Sequence, residues 1–413
     1  MDREGIRSIG WWTYVSIVVG AAIGMFAGVT SFNSVPGIFA RPLAAEFGWG
    51  RMEMSLSFSA TLLGMAIGSP LIGMLMDRFG IRRVIFWSGV AFGLAVICMS
   101  KQDGSKIMWI GLSGLIGVVG AAVSVLGYLA VFPQWFDRRL GLALALAMCG
   151  LGVGSMVMPT FAQYLVTHFG WRTAYVILGG ASLPLMLVAC SLLREHRIDA
   201  PDQRSTVPVR AEGLTLGRAM KSYRLWAIWL TFMLGSICTL ALVPHLPSMF
   251  IDRGINVEDA ARGASMLGVG LLAGRLLTGV LLDHVHAPLV AVLFFLGGAA
   301  GILLFHISRD YQVLLLAAAL IGLTIGAEGD LISYLVRAYL GMRLFGTLYG
   351  IAFSGYCLGS VVGPLGIGAY FDRHGSYDLL LVVLPCVLVG ACALILTLGR
   401  YPGSSGRIEA VAS

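Results

Sequence analysis

The sequence predicts an all-α membrane protein with twelve transmembrane helices in two pseudo-symmetric six-helix bundles. Hydrophobic residues make up 58% of the 413 positions and charged residues only 12%, so the chain has more hydrocarbon surface than a soluble fold can bury. Twelve apolar segments are long enough to cross a bilayer as helices. None shows the alternation typical of strands, and lipid admits only helices or closed barrels.

The third observation is an internal repeat with one constant offset, 206 residues, the distance from Gly73 to Gly279. The same offset relates Asp77 to Asp283 and Tyr128 to Tyr334. A single offset for separate motifs indicates that one bundle was duplicated and fused in the same orientation. This is the parallel-repeat plan of secondary transporters, in which the substrate lies between the halves.

In chain order, the first half contains six predicted spans, each ended by charged, glycine-containing or proline-containing loops. The first is too long and too unlike a signal peptide to be removed. These six spans are 11–39, 54–76, 83–100, 107–132, 140–166 and 171–193. The second half contains 224–250, 262–283, 287–307, 311–337, 345–370 and 376–399.

The longest polar stretch separates the two halves. We therefore expect an amino-terminal bundle at 1–193, a cytoplasmic linker at 194–223, a carboxy-terminal bundle at 224–400 and a cytoplasmic tail at 401–413. The end of the linker, residues 214–221, is either a short amphipathic helix on the membrane surface or a solvated tether.

Lys and Arg residues predict the orientation, because cytoplasmic loops retain them. With both termini inside, the inner segments carry twice as many Lys and Arg residues as the outer loops. The net charge of +7 is therefore a topology signal, and no soluble basic face for nucleic acid exists. The seven cysteines lie in apolar runs without zinc-like spacing. We expect a monomer in a bacterial inner membrane, without metal or cofactor.

Glycines recur at four-residue spacing in the fifth span (Gly150 and Gly154) and in the eleventh (Gly346, Gly350, Gly355, Gly359 and Gly363). Small residues at this spacing let helix backbones approach closely in lipid. They predict packing surfaces rather than a binding site.

The run from Gly73 to Arg83, GMLMDRFGIRR, closely resembles the signature loop of the major facilitator superfamily. In that family the acidic residue faces a helix end across the interface between the halves, a contact between charge and helix dipole. The resemblance implies that five residues form a gating latch: Asp77, Arg78, Arg82, Asp283 and Arg337.

Three further patches look like the bacterial branch that groups monocarboxylate transporters with oxalate:formate antiporters. They are Phe47–Arg51 (FGWGR), Gln134–Ala143 (QWFDRRLGLA) and Gly326–Arg337 (GAEGDLISYLVR). The superfamily resemblance covers nearly the whole chain, whereas the branch resemblance covers these patches alone.

Charged residues within the hydrocarbon zone are costly and are functional candidates. Arg275, Glu328 and Asp330 lie inside predicted spans, and the repeat offset pairs them with Ser69, Ala122 and Ser124. The first half is thus neutral where the second is ionisable. Since scaffold features recur in both halves and these charges do not, the asymmetry favours chemistry over packing.

Arg275 is the predicted anion contact, because its planar fork suits a carboxylate bidentately. It lies eight residues before Asp283, about 12 Å along the helix from the inner surface. The resembled transporters also place an anion-binding Arg in this helix. Animal monocarboxylate carriers have an acidic residue one turn earlier, where this chain has Leu271. They also have a Lys in the first helix, whereas the first helix of this chain contains none.

Glu328 and Asp330 are candidate proton carriers, because burial and a neighbouring Arg shift the pKa of a carboxyl group in opposite directions. Such a group can take up or release a proton as the substrate arrives or leaves. Two residues apart on a helix, they point about 200° apart, so both cannot face one cavity. Alternatively, Asp330 pairs with Arg337 in the latch, or Glu328 is a fixed counter-ion of Arg275. Four polar residues complete the proposed substrate contacts: Tyr128, Tyr334, Asn33 and Tyr356.

The sequence thus predicts a secondary active transporter of a small organic monocarboxylate, coupled to protons by symport and working by alternating access. An exporter of amphipathic compounds, driven by protons, or an organic anion exchanger are the alternatives. No metal-ligand spacing, phosphate loop or catalytic triad indicates an enzyme.

Overall fold

The computed structural model describes residues 11–49, 51–136, 140–194 and 214–401, and within these ranges it contains helices and no strands. The helices in chain order are α1 (Trp11–Ala27), α2 (Val29–Phe32), α3 (Pro36–Phe47), α4 (Arg51–Phe79), α5 (Ile81–Cys98), α6 (Lys106–Gly120), α7 (Val125–Leu129), α8 (Leu140–Leu192), α9 (Leu216–Met220), α10 (Tyr223–Leu240), α11 (Leu246–Ile251), α12 (Val257–Leu282), α13 (Ala287–Ile307), α14 (Tyr311–Leu340), α15 (Phe345–His374) and α16 (Asp378–Leu396).

In the described ranges, eleven helical segments are long and apolar enough to cross a membrane. One of them, Leu146–Leu192, is 47 residues long, more than twice what a bilayer requires. It is broken at Gly170, whose φ of 78° and ψ of 161° are not helical. Counting the two arms of α8 separately gives the twelve predicted spans.

The structure interrupts three of the predicted spans. The span 11–39 is interrupted at Gly28, which is extended (φ −84°, ψ 178°). A Cβ atom at this position would collide with the carbonyl oxygen of Val123, so only glycine permits this approach. The span 107–132 is interrupted at Ser124, which is also extended and whose Oγ accepts from the amide of Leu126 at 3.2 Å.

The third interrupted span is 224–250, where turns separate α10 from α11. Pro247 follows at the start of α11, a position at which its missing N–H costs no helical hydrogen bond. Apolar composition alone does not reveal such breaks, because the residues on both sides remain hydrophobic.

The chain divides into two compact units. Of the described residues, the first unit contains 11–61 and 78–194, and the second contains 62–77 and 214–401. In the first, α1 and α5 pack against α8. In the second, α12 packs against α14, α10 against α15, and α13 against α14 and α16. Most of α4 therefore packs with the second unit, although it precedes the linker in sequence.

The glycines of α15 lie where this helix approaches its neighbours, which confirms the prediction from their spacing. A Cβ atom at Gly350 would fall 2.8 Å from the carbonyl carbon of Ser69 in α4. One at Gly355 would fall 2.7 Å from the carbonyl oxygen of Trp229 in α10. Since both neighbours are backbone atoms that cannot move aside, these positions hold the helices in close contact.

Candidate functional site

Arg275 is buried in the second half of α12, with 8% of its surface exposed. Glycines bring α14 against this helix: a Cβ atom at Gly326 would lie 3.1 Å from the backbone nitrogen of Arg275. The guanidinium acts electrostatically on Asp330 of α14 and on Tyr349 and Tyr356 of α15. Three helices of the second unit thus contribute to one polar cluster in the membrane-spanning region.

Asp330 has no exposed surface, and neither of its carboxyl oxygens has a hydrogen-bond partner among the described residues. The charge that acts on it is that of Arg275. The alternative in which Arg337 hydrogen-bonds Asp330 therefore does not describe this structure. A buried carboxyl group without a donor is costly, so Asp330 remains a candidate functional residue.

Glu328 is also fully buried, but it faces a different helix. Its Oε1 accepts a hydrogen bond from Thr239 Oγ1 of α10 at 3.3 Å, and Gly235 of α10 leaves room for the carboxyl group. Arg275 is not among the groups that act on Glu328. The two carboxyl groups thus diverge from α14, as their spacing predicts, and Asp330 is the one on which the charge of Arg275 acts.

Tyr349 is a site residue that the sequence reasoning missed. It is fully buried, its hydroxyl has no hydrogen-bond partner among the described residues, and both Asp330 and Arg275 act on it. The repeat contained the signal, because the offset that pairs Arg275 with Ser69 pairs Tyr349 with Ala143. The predicted contact Tyr356 is half-buried and lies two helical turns further along α15.

Tyr128 and Asn33, two further predicted substrate contacts, belong to the first unit. Tyr128 lies in the short helix α7 and is fully buried against Gly24 of α1, and its hydroxyl has no partner among the described residues. Asn33 is half-buried and ends α2. Both residues therefore lie beside the interrupted helices of this unit.

The latch residues form two groups. Asp77 accepts hydrogen bonds from the amides of Gly346 at 2.9 Å and Thr347 at 2.7 Å, and from the Thr347 hydroxyl. These amides belong to the first turn of α15, so a carboxylate meets the positive end of a helix dipole. Arg78 lies over the ring of Phe79, and Arg82 is exposed.

The second group surrounds Tyr334. The charges of Asp283 and Arg337 act on its hydroxyl, whereas Arg275 is not among the groups that do. Tyr334 therefore lies with the second copy of the latch rather than with the buried cluster. In the described ranges, no group of three or more His, Cys, Asp or Glu side chains is placed to hold a metal ion.

Comparisons with known proteins agree with this architecture. A model of the Major Facilitator Superfamily matches residues 8–364. The 3-(3-hydroxy-phenyl)propionate transporter of Escherichia coli is 26% identical, covering 88% of this chain and 89% of that protein. Monocarboxylate transporter 11 of Homo sapiens is 25% identical over 95% of this chain and 85% of that protein. A structure of the proton:xylose symporter XylE has a TM-score of 0.73, 14% identity, and covers 94% of this chain and 96% of that one.

Proposed function

Because the chain belongs to the major facilitator superfamily, a family of multi-pass membrane transporters and not of enzymes, we propose that it carries a small organic monocarboxylate together with a proton. Symport by alternating access would use the cluster on α12, α14 and α15. We further propose that it is a monomer in the inner membrane with both termini in the cytoplasm, as the distribution of Lys and Arg favours.

Arg275 carries the proposal. A guanidinium placed in a membrane-spanning helix is expensive unless it serves an anion, and its fork offers a carboxylate two parallel hydrogen bonds. The Tyr349 hydroxyl adds a second buried donor within the same cluster. One strongly basic group suits a monoanion better than a dianion.

The two relatives support a carboxylate substrate, since one is named for a propionate derivative and the other for monocarboxylates. Asp330 supports the coupled proton. When Asp330 is ionised, its negative charge competes with the substrate anion for the positive charge of Arg275; when it is protonated, this competition ends. Binding of the anion and uptake of the proton then favour each other, as linkage requires.

The test is uptake of labelled monocarboxylates into proteoliposomes with an imposed pH gradient. Protein-free liposomes give the background, because neutral weak acids cross lipid unaided. We expect accumulation above this background in the wild type, and none with Arg275→Gln. Leu276→Gln is the matched control, since it changes an exposed neighbouring residue on the same helix.

Failure to accumulate any acid above background, in wild type and variant alike, would reject the carboxylate proposal. Extrusion of amphipathic compounds that survives Arg275→Gln would instead support the exporter, which needs no buried anion contact. The carboxylate transporter therefore requires Arg275, whereas the exporter does not.

A further inference from the structure

Four aromatic side chains form a continuous stripe along α15. Phe345, Tyr349, Phe353 and Tyr356 follow one another at intervals of four, four and three residues, which places them on one face of the helix. Successive ring centroids are 5.6, 6.0 and 5.4 Å apart. These separations lie within the range of favourable aromatic pairs.

This aromatic stripe (Phe345, Tyr349, Phe353 and Tyr356) lies on α15, which packs against α14. The same helix α14 packs against α12 at Arg275. Asp330 and Arg275 act electrostatically on Tyr349, and Glu328 and Arg275 act on Tyr356. The ring of Phe353 lies against the rings of both tyrosines. The anion contact and the aromatic surface therefore belong to one site. Tyr356 is half-buried, whereas Tyr349 and Phe353 are buried, so Tyr356 is the ring with an accessible surface.

The polar end of the site offers the carboxylate a second hydrogen-bond donor. Tyr349 has a fully buried hydroxyl without a hydrogen-bond partner in the described residues. A carboxylate held by Arg275 would accept from this hydroxyl as well, and would satisfy a donor that is otherwise costly to bury. A ligand with a ring attached to that carboxylate would cover the accessible ring of Tyr356, whereas a two- or three-carbon acid would leave that ring uncovered.

We propose that the substrate is an aromatic monocarboxylate, with its carboxylate on Arg275 and Tyr349 and its ring stacked on Tyr356. This inference rests on the proposed function and narrows its substrate class. Stacking of aromatic rings contributes beyond the buried area alone, so the site distinguishes a planar ring from a saturated ring of the same size.

The experiment measures binding to the full-length protein in detergent by isothermal titration, which avoids passive diffusion across lipid. Benzoate and cyclohexanecarboxylate are the main probes, because they have similar size and the same charge and differ in ring planarity. Propionate is the small aliphatic probe. We expect benzoate to bind roughly three- to tenfold more tightly than cyclohexanecarboxylate, and propionate to bind more weakly than both.

Two substitutions at one position test the role of the ring. Tyr356→Leu should abolish the preference for benzoate, whereas Tyr356→Phe should retain it, since the ring remains. The ratio of two affinities within one variant does not depend on how much of the sample is folded. Phe371→Leu is the matched control: this ring lies on α15 but stacks on Tyr377 at 4.4 Å, so its loss should leave the ratio unchanged.

Equal affinities for benzoate and cyclohexanecarboxylate in the wild type would overturn the inference, as would a preference that persists in Tyr356→Leu. In either case, binding that depends on Arg275 would leave the proposed function intact. If no carboxylate binds, the proposed function itself fails. The two failures are therefore distinguishable.

Discussion

Two fully buried carboxyl groups on α14 have different surroundings and therefore different expected roles. Asp330 experiences the charge of Arg275 and has no hydrogen-bond donor in the described residues. Glu328 accepts from Thr239, a contact that an amide oxygen also makes. The sequence could place both groups in the membrane, but it could not say which faced Arg275, because that depends on how α12, α14 and α15 are rotated.

We predict that Asp330→Asn uncouples transport from the proton, because the amide cannot be ionised and no longer competes with the anion for Arg275. The variant should still exchange labelled for unlabelled substrate across proteoliposomes, but should not accumulate it in response to a pH gradient. Glu328→Gln is the isosteric control on the same helix and should keep gradient-driven accumulation. The reverse pattern would assign the proton to Glu328.

Glu46, at the end of α3, gives a pH prediction outside the membrane-spanning segments. Its carboxylate accepts from Arg172 Nη1 at 2.9 Å and from Trp171 Nε1 at 2.7 Å. The hydrogen bond from Arg172, and then that from Trp171, lower the pKa of Glu46 from its ordinary value of 4.5. Because the folded-state pKa is lower, the contact contributes stability above about pH 4.5, and this contribution is lost as the pH falls through the lowered pKa.

The difference in melting temperature between wild type and Glu46→Gln should therefore be constant near neutral pH and shrink in acid. The effect should be small, since the pair is exposed and screened by solvent. Arg172→Gln removes the same contact and should show the same pH profile. A difference that grows as the pH falls would contradict the assignment.

At the scale of helices, the existence of the spans was predictable and their continuity was not. Apolar length fixes where a helix can cross a bilayer, and the predicted spans correspond to helical segments in the described ranges. The breaks at Gly28 and Ser124 depend on the approach of one broken helix to another, here the carbonyl of Val123 to Gly28. Such long-range contacts leave no local hydrophobic signal.

The close contacts of α15 give a prediction with an internal control. Gly350→Ala should destabilise the protein, because its Cβ atom would collide with backbone atoms of Ser69 and Pro70 in α4. Gly366→Ala on the same helix meets nothing within 4 Å and should be neutral or stabilising by up to about 1 kcal/mol, from helix propensity. Thermal unfolding in detergent measures both, and equal melting temperatures for the two variants would refute the packing role of Gly350.

Across the whole molecule, the two copies of the repeat share a scaffold and differ in chemistry. Ser124 interrupts the helical path in the first copy and caps the break with its own side chain. Its counterpart Asp330 lies inside the continuous helix α14, where the charge of Arg275 acts on it. Comparison of the two copies in the sequence alone identified the charged positions. The aromatic stripe on α15 needed the structure, because hydrophobic rings in a membrane helix are otherwise read as packing.

The proposed symport of one proton with one monoanion would have a consequence for the complete transport cycle: no net charge would cross the membrane. We therefore expect wild-type uptake to be unaffected by a potassium diffusion potential imposed with valinomycin at equal pH on both sides. If Asp330 carries the proton, Asp330→Asn moves the anion alone, and an inside-negative potential of 100 mV should oppose its entry by about 2.3 kcal/mol. Wild-type uptake that responds to the potential, or an Asp330→Asn variant that does not, would reject electroneutral symport through this residue.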